Sequence, residues 1–284
     1  MTYVIHGATG AQGAPVVAAL SASGKEVVAL TRNASASVPG ARVVAVDSTS
    51  PAALADAYRG ARGVFVHLPV ASEADRLIYA RSVVAAVREA RPGRVVFSTS
   101  GVALDSVGED SFGSAVTLLV EGLADSGVAH AVIEPRLYFE NLLLPFVAGA
   151  VRAEGVLRYP LPAGFRVAWA SHLDIADAAV ALFDRTDVTG VVSVGQDPAI
   201  TGEDLAAAFA AHMGREVVFE SLSPEAFSAA AAPLLGEGPA ADVAAGYRAM
   251  SALADRAIPA ERSAQKLLGL TPRTAGQWMA DIGL

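Results

Sequence analysis

The sequence predicts an α/β fold, a doubly wound parallel sheet with a smaller C-terminal lobe, and three observations predict it. Short β-branched runs alternate with alanine-rich helical stretches from residue 3 to about residue 100. A glycine-rich turn, Gly7-Ala8-Thr9-Gly10-Ala11-Gln12-Gly13, follows the first run directly and opens into a helical stretch. Beyond residue 196 the pattern changes to helices with a single short strand, the mark of a separate lobe.

The elements follow in order. Strands are expected at Tyr3–His6, Glu26–Thr31, Ala41–Val46, Gly63–Leu68 and Arg94–Ser98, with helices near Pro15–Ser23, Pro51–Tyr58 and Glu73–Ala90 whose apolar residues are spaced to pack on a sheet. Right-handed crossovers should join them. A helix around Ser114–Ser126, a sixth strand Ala129–Glu134 and a helix beginning near Phe139 come next. Residues 151–165, rich in aromatics, proline and glycine, read as an excursion from the sheet; a helix Asp174–Arg185 and a strand Val191–Val194 return to it. Helices near Gly202–Met213 and Pro224–Ala232 and a strand Glu216–Glu220 complete the reading. The sheet domain is thus expected over 1–150 with 166–195 returning to it, and the smaller lobe over 196–284 with a contribution from 151–165. The segment 223–256 suits either a lid or an interface.

Composition narrows the function classes. The chain has 284 residues, 53% of them hydrophobic, enough for a sizeable core. Its 21 basic residues face 29 acidic ones, a formal net charge of −8, so it has no basic field for phosphate backbones or anionic lipid, and neither nucleic acid nor membrane is expected as a partner. The apolar runs are broken well before the roughly 18 residues a membrane span needs. MTYVIHGATG reads as a buried strand entering a turn rather than as a signal peptide, and the expected location is cytoplasmic. With no cysteine, disulfides, thiolate chemistry and Cys-ligated zinc are excluded. His6, His130 and His212 show no ligand-like spacing, and His67 and His172 read as structural histidines or proton donors, so no metal is expected.

A strand, a glycine turn and a helix N-terminus form a phosphate cradle. Glycines let the backbone approach a pyrophosphate, and free N–H groups with the positive end of the helix dipole hold its charge. Gly7, Thr9, Gly10, Ala11, Gln12 and Gly13 are therefore the expected cofactor turn of a Rossmann domain. At the end of the second strand stands Thr31-Arg32-Asn33, where an NAD enzyme carries an acid for the ribose hydroxyls. Arg32 suits a 2′-phosphate through its planar fork, which favours NADP(H) over NAD(H); the alternative is a solvated surface arginine. Asp47, after the third strand, either accepts from an adenine amino group or caps the following helix.

The turn GATGAQG, the TRN at 31–33, PRLYFENLL at 135–143, Asp174-Ile175-Ala176, the helix start Ile200-Thr201-Gly202-Glu203-Asp204-Leu205 and Pro272-Arg273-Thr274 together resemble the NmrA-like branch of the atypical short-chain dehydrogenase/reductases over the whole chain. The resemblance implies a Rossmann domain with a smaller substrate lobe. It also implies membership of a group that holds NADPH-dependent quinone and carbonyl reductases together with non-catalytic nucleotide sensors. His67, Ser98, Pro135 and Tyr138 join the expected cofactor set because the segments that hold them arrive at the carboxyl ends of the strands.

The wider superfamily reduces carbonyls with a Ser or Thr, a Tyr and a Lys. Ser98-Thr99-Ser100 matches the serine element, but the tyrosine and lysine positions fall on Gly113 and Thr117. Lys25 and Lys266 are the chain's two lysines, so no Tyr-x-x-x-Lys pair exists. Three readings follow. In the first, hydride reaches a quinone or polycyclic aromatic ketone without a dedicated side-chain acid, with Ser100 or Thr99 bonding the carbonyl oxygen; these hydroxyls serve equally as turn or capping groups. The chain here resembles angucyclinone-type polyketide ketoreductases of antibiotic biosynthesis, NmrA-like enzymes that lack the tyrosine. The second is an NADP(H) sensor acting through a protein partner. The third is an alkene or isoflavone-type reductase.

Ligands in such folds lie outside the carboxyl ends of the strands. Tyr138, Phe139, Asn141, Trp169 and His172 are the expected substrate contacts, each with core packing or a structural role as its alternative. Tyr159 and Phe165 share that ambiguity, and Glu134 stands where the family usually has arginine.

Overall fold

β1 (Thr2–Ile5) pairs in parallel with β2 (Glu26–Thr31) on one side and β4 (Gly63–His67) on the other. β3 (Ala41–Ala45) extends the sheet beyond β2; β5 (Val95–Ser98), β6 (His130–Pro135) and β10 (Gly190–Val194) extend it beyond β4. The order is β10-β6-β5-β4-β1-β2-β3, every pair parallel. The chain reverses its winding between β1 and β4, and that reversal opens a crevice at the carboxyl ends of the two strands. The structure, a computed structural model, describes residues 2–104 and 114–284.

Strand alternation dresses both faces of this sheet. Val4, Val28, Val64, Val66, Val95, Phe97 and Val132 form one core with residues of α2 (Pro51–Tyr58), α3 (Glu73–Ala90) and α4 (Ser114–Asp125). On the other face lie α1 (Gly13–Ala22) and α6 (His172–Asp184). There Phe183 meets Tyr3 edge-on at 5.0 Å, and it occupies the space a Cβ on Gly63 would need. The expected spans of β2, α2 and α3 coincide with the observed ones.

Two compact units divide the chain. The first holds Met1–Pro135, His172–Val194 and Ala260–Leu270; the second holds Arg136–Ser171, Gly195–Pro259 and Thr271–Leu284. Residues 136–150 therefore fall in the second unit and 260–270 in the first, where the expected lines ran at 150 and 196. Ser263 reaches the first unit by a parallel bridge to Ser193 of β10.

The second unit contains β7 (Leu137–Tyr138) paired with β9 (Trp169–Ala170), and β8 (Val156–Tyr159) paired with β11 (Val218–Ser221). The helix expected from Phe139 is a 3₁₀ turn, Phe139–Leu143; α5 begins at Pro145 and runs to Glu154. Leu144, extended ahead of a proline, ends the one and admits the other. α7 (Gly202–Met213) opens on a capping box between Thr201 and Asp204. Within 223–256 lie α8 (Pro224–Leu235) and α9 (Glu237–Ser251), the latter unforeseen in sequence. α10 (Ala264–Leu268) belongs to the first unit and α11 (Ala275–Asp281) to the second. Stacked aromatics dominate the core of the second unit, with Phe139 between Trp169 at 5.6 Å and Trp278 at 5.2 Å. No helix among the described residues is long and apolar enough to cross a membrane.

Candidate active site

β1 delivers the chain to the switch point, and the turn that follows has room for no side chain at two places. Gly7 takes φ +57°, and a Cβ on it would fall 2.3 Å from His67 Nε2 at the end of β4. A Cβ on Gly13 would fall 2.3 Å from the Gly7 carbonyl oxygen and 2.5 Å from that of His6. Gly10 donates its N–H to Gly7 O at 2.8 Å and accepts from Ala14 N at 3.0 Å, which locks the turn onto the first turn of α1. Gly7, Thr9, Gly10 and Ala11 line an exposed rim, while Gln12 and Gly13 are buried beneath it. No side chain caps α1, so the positive end of the helix dipole stands behind that rim.

Gln12, the N-cap residue, spends its side chain elsewhere. Its Oε1 accepts from Ser98 Oγ at 2.8 Å and its Nε2 donates to Ser100 Oγ at 2.9 Å, tying the glycine turn to the end of β5. Ser98 and Thr99 are wholly buried, and Thr99 Oγ1 has no hydrogen-bond partner among the described residues. Ser100 is half-buried and adopts φ +59°, a left-handed conformation that costs a non-glycine residue about 1 kcal/mol or more. Of the two candidate hydroxyls, Ser100 is the one with access to solvent.

Arg32 is exposed and has no partner among the described residues. The backbone after it is folded by Asn33, which donates from its N–H to Thr31 Oγ1 at 3.1 Å and accepts from Ser35 N at 3.0 Å and Ser35 Oγ at 2.7 Å. Asp47 is exposed and accepts from Thr49 N and Thr49 Oγ1 at 2.9 and 2.7 Å, and these bonds lower its pKa. It orders the turn, whereas Ser50 supplies the side-chain cap of α2.

Three histidines gather at the switch point. Burial brings the His6 imidazole down to about 3, and its Nε2 meets Tyr58 Oη at 2.5 Å. Burial also lowers His67, with repulsion from His172 at the start of α6 acting in the same direction. His67 Nδ1 lies 3.4 Å from Leu68 O. His6 and His67 are therefore neutral donors or acceptors at physiological pH rather than cations for phosphate. Asp174, in the first turn of α6, is buried.

Glu134, which stands where the sequence resemblance implies an arginine, has a visible task. Glu134, wholly buried on β6, accepts from Leu104 N at 2.9 Å and from Ser193 Oγ at 3.0 Å, linking the segment after β5 to β10. Pro135 ends β6 and is buried. Thr117 lies half-buried on α4, and Gly113 lies outside the described residues. Lys25 pairs with Asp184 and precedes β2, so it stands at the amino edge of the sheet, opposite the glycine turn.

In the second unit, Phe139 and Trp169 have no exposed surface and Tyr138 has little; the structure places all three in the core. Tyr159 is buried there as well, and its hydroxyl bonds that of Tyr247. Burial pushes Tyr159 up to about 12 and also raises Tyr247 well above the usual phenol value, so neither ionises near neutral pH. Phe165 is core, while Asn141 stays half-buried. The Tyr159–Tyr247 pair, 88 residues apart, had no local signal in the sequence. The Gln12 bridge had a weak one, in that glutamine stands where a Ser, Thr or Asp would cap α1. Among the described residues no group of three or more His, Cys, Asp or Glu could hold a metal ion.

Comparison with known proteins supplies a family and a fold. The model of the NmrA-like family matches residues 1–237. An NADPH-dependent quinone oxidoreductase from Escherichia coli, solved also in complex with NADPH, aligns over 100% of both chains with TM-score 0.72 and 23% identity. A Citrobacter sp. triphenylmethane reductase complexed with NADP(H) aligns over 98% of both chains with TM-score 0.80 and 19% identity. A nucleoside-diphosphate-sugar epimerase from Staphylococcus aureus aligns over 98% of this chain and 99% of its own, with TM-score 0.80 and 19% identity. No curated protein matches at a significant level. At these identities the likeness to solved structures is one of fold.

Proposed function

Because this chain belongs to the NmrA-like family, we propose that it is an NADPH-dependent reductase that delivers hydride to the carbonyl of an aromatic ketone or quinone without a Tyr/Lys proton relay. One observation carries the reading: the turn from Gly7 to Gly13 is sterically closed to side chains at both ends and is followed, at the end of β2, by an exposed arginine with no partner among the described residues. The turn fits a pyrophosphate, and Arg32 fits the 2′-phosphate that distinguishes NADPH from NADH. Two structural relatives with reductase names, both solved with this cofactor, support the same reading.

When bound, the cofactor supplies the hydride; the chain's residues hold and orient what receives it. Gly7, Thr9, Gly10 and Ala11 present the backbone rim to the phosphates, Gly13 closes the turn beneath them, and Arg32 pairs with the extra phosphate. His67 borders the turn as a neutral imidazole. Ser100 donates to the carbonyl oxygen on which negative charge grows. A delocalised acceptor makes such a site sufficient, because an extended ring system spreads that charge and water or a phenol of the acceptor completes the protonation. Polycyclic ketones of the polyketide type meet this condition and are the substrate class we favour; catalysis then rests on orientation. The absence of a lysine outside positions 25 and 266 bears on the same point.

The coenzyme assignment is tested by titrating wild type and Arg32→Ala with NADPH and NADH. Loss of a charge-assisted pair predicts about 10- to 100-fold weaker NADPH binding, with NADH binding nearly unchanged. Equal weakening of both, or of neither, removes Arg32 from the 2′-phosphate site.

A further inference from the structure

We infer that Gln12 is a positioning residue: its amide fixes the direction of the Ser100 hydroxyl so that the proton of Ser100 points away from the protein and toward an acceptor oxygen. The inference rests on the reductase reading and concerns a residue whose backbone belongs to the phosphate turn but whose side chain does not.

The hydrogen-bond directions follow from the donor inventory. Ser98 Oγ accepts the Ser100 N–H at 3.4 Å and donates its own proton to Gln12 Oε1, 2.8 Å away. That bond orients the amide, because with Oε1 on Ser98 the Nε2 must face Ser100. Gln12 Nε2 then donates to Ser100 Oγ at 2.9 Å and occupies one of its lone pairs. Ser100 Oγ has no acceptor for its own proton among the described residues, and the residue is half-buried rather than sealed. A hydroxyl that receives a bond is also the better donor, since hydrogen bonds in a chain polarise one another. The left-handed Ser100 backbone shows that the site holds this serine in a conformation it would not choose alone.

The arrangement takes over part of what the Tyr/Lys pair does elsewhere, preparing one donor for the carbonyl oxygen without supplying a labile acid. It also explains why α1 lacks a side-chain cap: the residue in the N-cap position is engaged on β5.

The test uses Gln12→Met, which keeps length and removes both amide bonds, alongside Ser100→Ala and the double variant. The probe is 9-fluorenone, a flat aromatic ketone, added to the full-length protein loaded with NADP⁺, and the readout is its carbonyl stretch by infrared difference. A donor bond lowers that frequency. The expected result is a lowered stretch in wild type, lost in Ser100→Ala and lost to the same extent in Gln12→Met. NADPH turnover of 9,10-phenanthrenequinone should fall about 10- to 100-fold in kcat in each single variant, with the dissociation constant for NADPH changed less than about threefold. The double variant should be no worse than either single one. A stretch lost in Ser100→Ala and retained in Gln12→Met overturns the positioning role while leaving the reductase reading intact, as does a double variant whose losses multiply. A wild-type protein that neither binds the ketone nor turns over the quinone overturns the reductase reading and this inference with it.

Discussion

At the residue scale, the phosphate turn depends on places where one atom decides. Gly13 is the sharpest: a methyl there would sit 2.3 Å from a backbone carbonyl that cannot swing aside as a flexible side chain would. Gly13→Ala should therefore displace the turn, abolish measurable NADPH binding in a fluorescence titration, and lower stability by about 1–3 kcal/mol for the overpacking. Full retention of binding would mean that the turn is not the phosphate site. The glycine turn was legible in the sequence because its chemistry is local, three glycines between a strand and a helix. The partners of its neighbours were not. Nothing in GATGAQG says that Gln12 reaches Ser98 and Ser100, some ninety positions away, and nothing around Glu134 says that it ties Leu104 to Ser193. Those pairings arise from sheet order, which brings β5 and β6 beside one another at the carboxyl edge. The aromatic candidates fall for the opposite reason. Phe139 and Trp169 carry the surface a flat ligand would want, but the same surface packs a core, and a sequence does not say which use it is put to.

Elements were read most reliably where periodicity and capping agree. α2 and α3 begin behind Ser50 and Ser72, whose side chains accept from Ala53 and Asp75 N–H groups, and both were placed to the residue. Where one of the two signals is missing, sequence and structure part. PRLYFENLL has helical composition but turns as a 3₁₀ segment ahead of Pro145, and α9 hides behind the glycines and proline of 236–239. Contact between elements gives a stability test. Phe183 anchors α6 to the sheet by filling the place left open by Gly63 and by meeting Tyr3. Phe183→Ala should cost about 3–5 kcal/mol in urea unfolding. A cost below about 1 kcal/mol would show that α6 does not depend on this contact.

At the scale of the molecule, buried histidine sets a pH dependence. Burial holds His6 at about 3 in the fold, against 6.5 for an unperturbed imidazole. Between those values the unfolded chain takes up a proton that the fold refuses. This contribution to stability is therefore complete above pH 6.5 and declines as the pH falls toward 3, by at most about 1.4 kcal/mol per pH unit. His67, also lowered by burial, acts in the same sense. The urea midpoint should hold steady between about pH 7 and 8 and drop between about pH 6 and 4, with a shallower drop in His6→Asn. A wild-type midpoint level across the acid range would contradict a neutral, buried His6.

The central claim is that a Rossmann unit without a Tyr/Lys pair still reduces a delocalised carbonyl. It is tested most directly by following the loss of reduced nicotinamide absorbance with NADPH and a panel of simple quinones and polycyclic aromatic ketones. The account predicts turnover with NADPH well above that with NADH, confined to acceptors whose rings spread the developing charge. NADPH that binds tightly yet is consumed with no member of the panel would contradict it and leave a nucleotide sensor that acts through a protein partner.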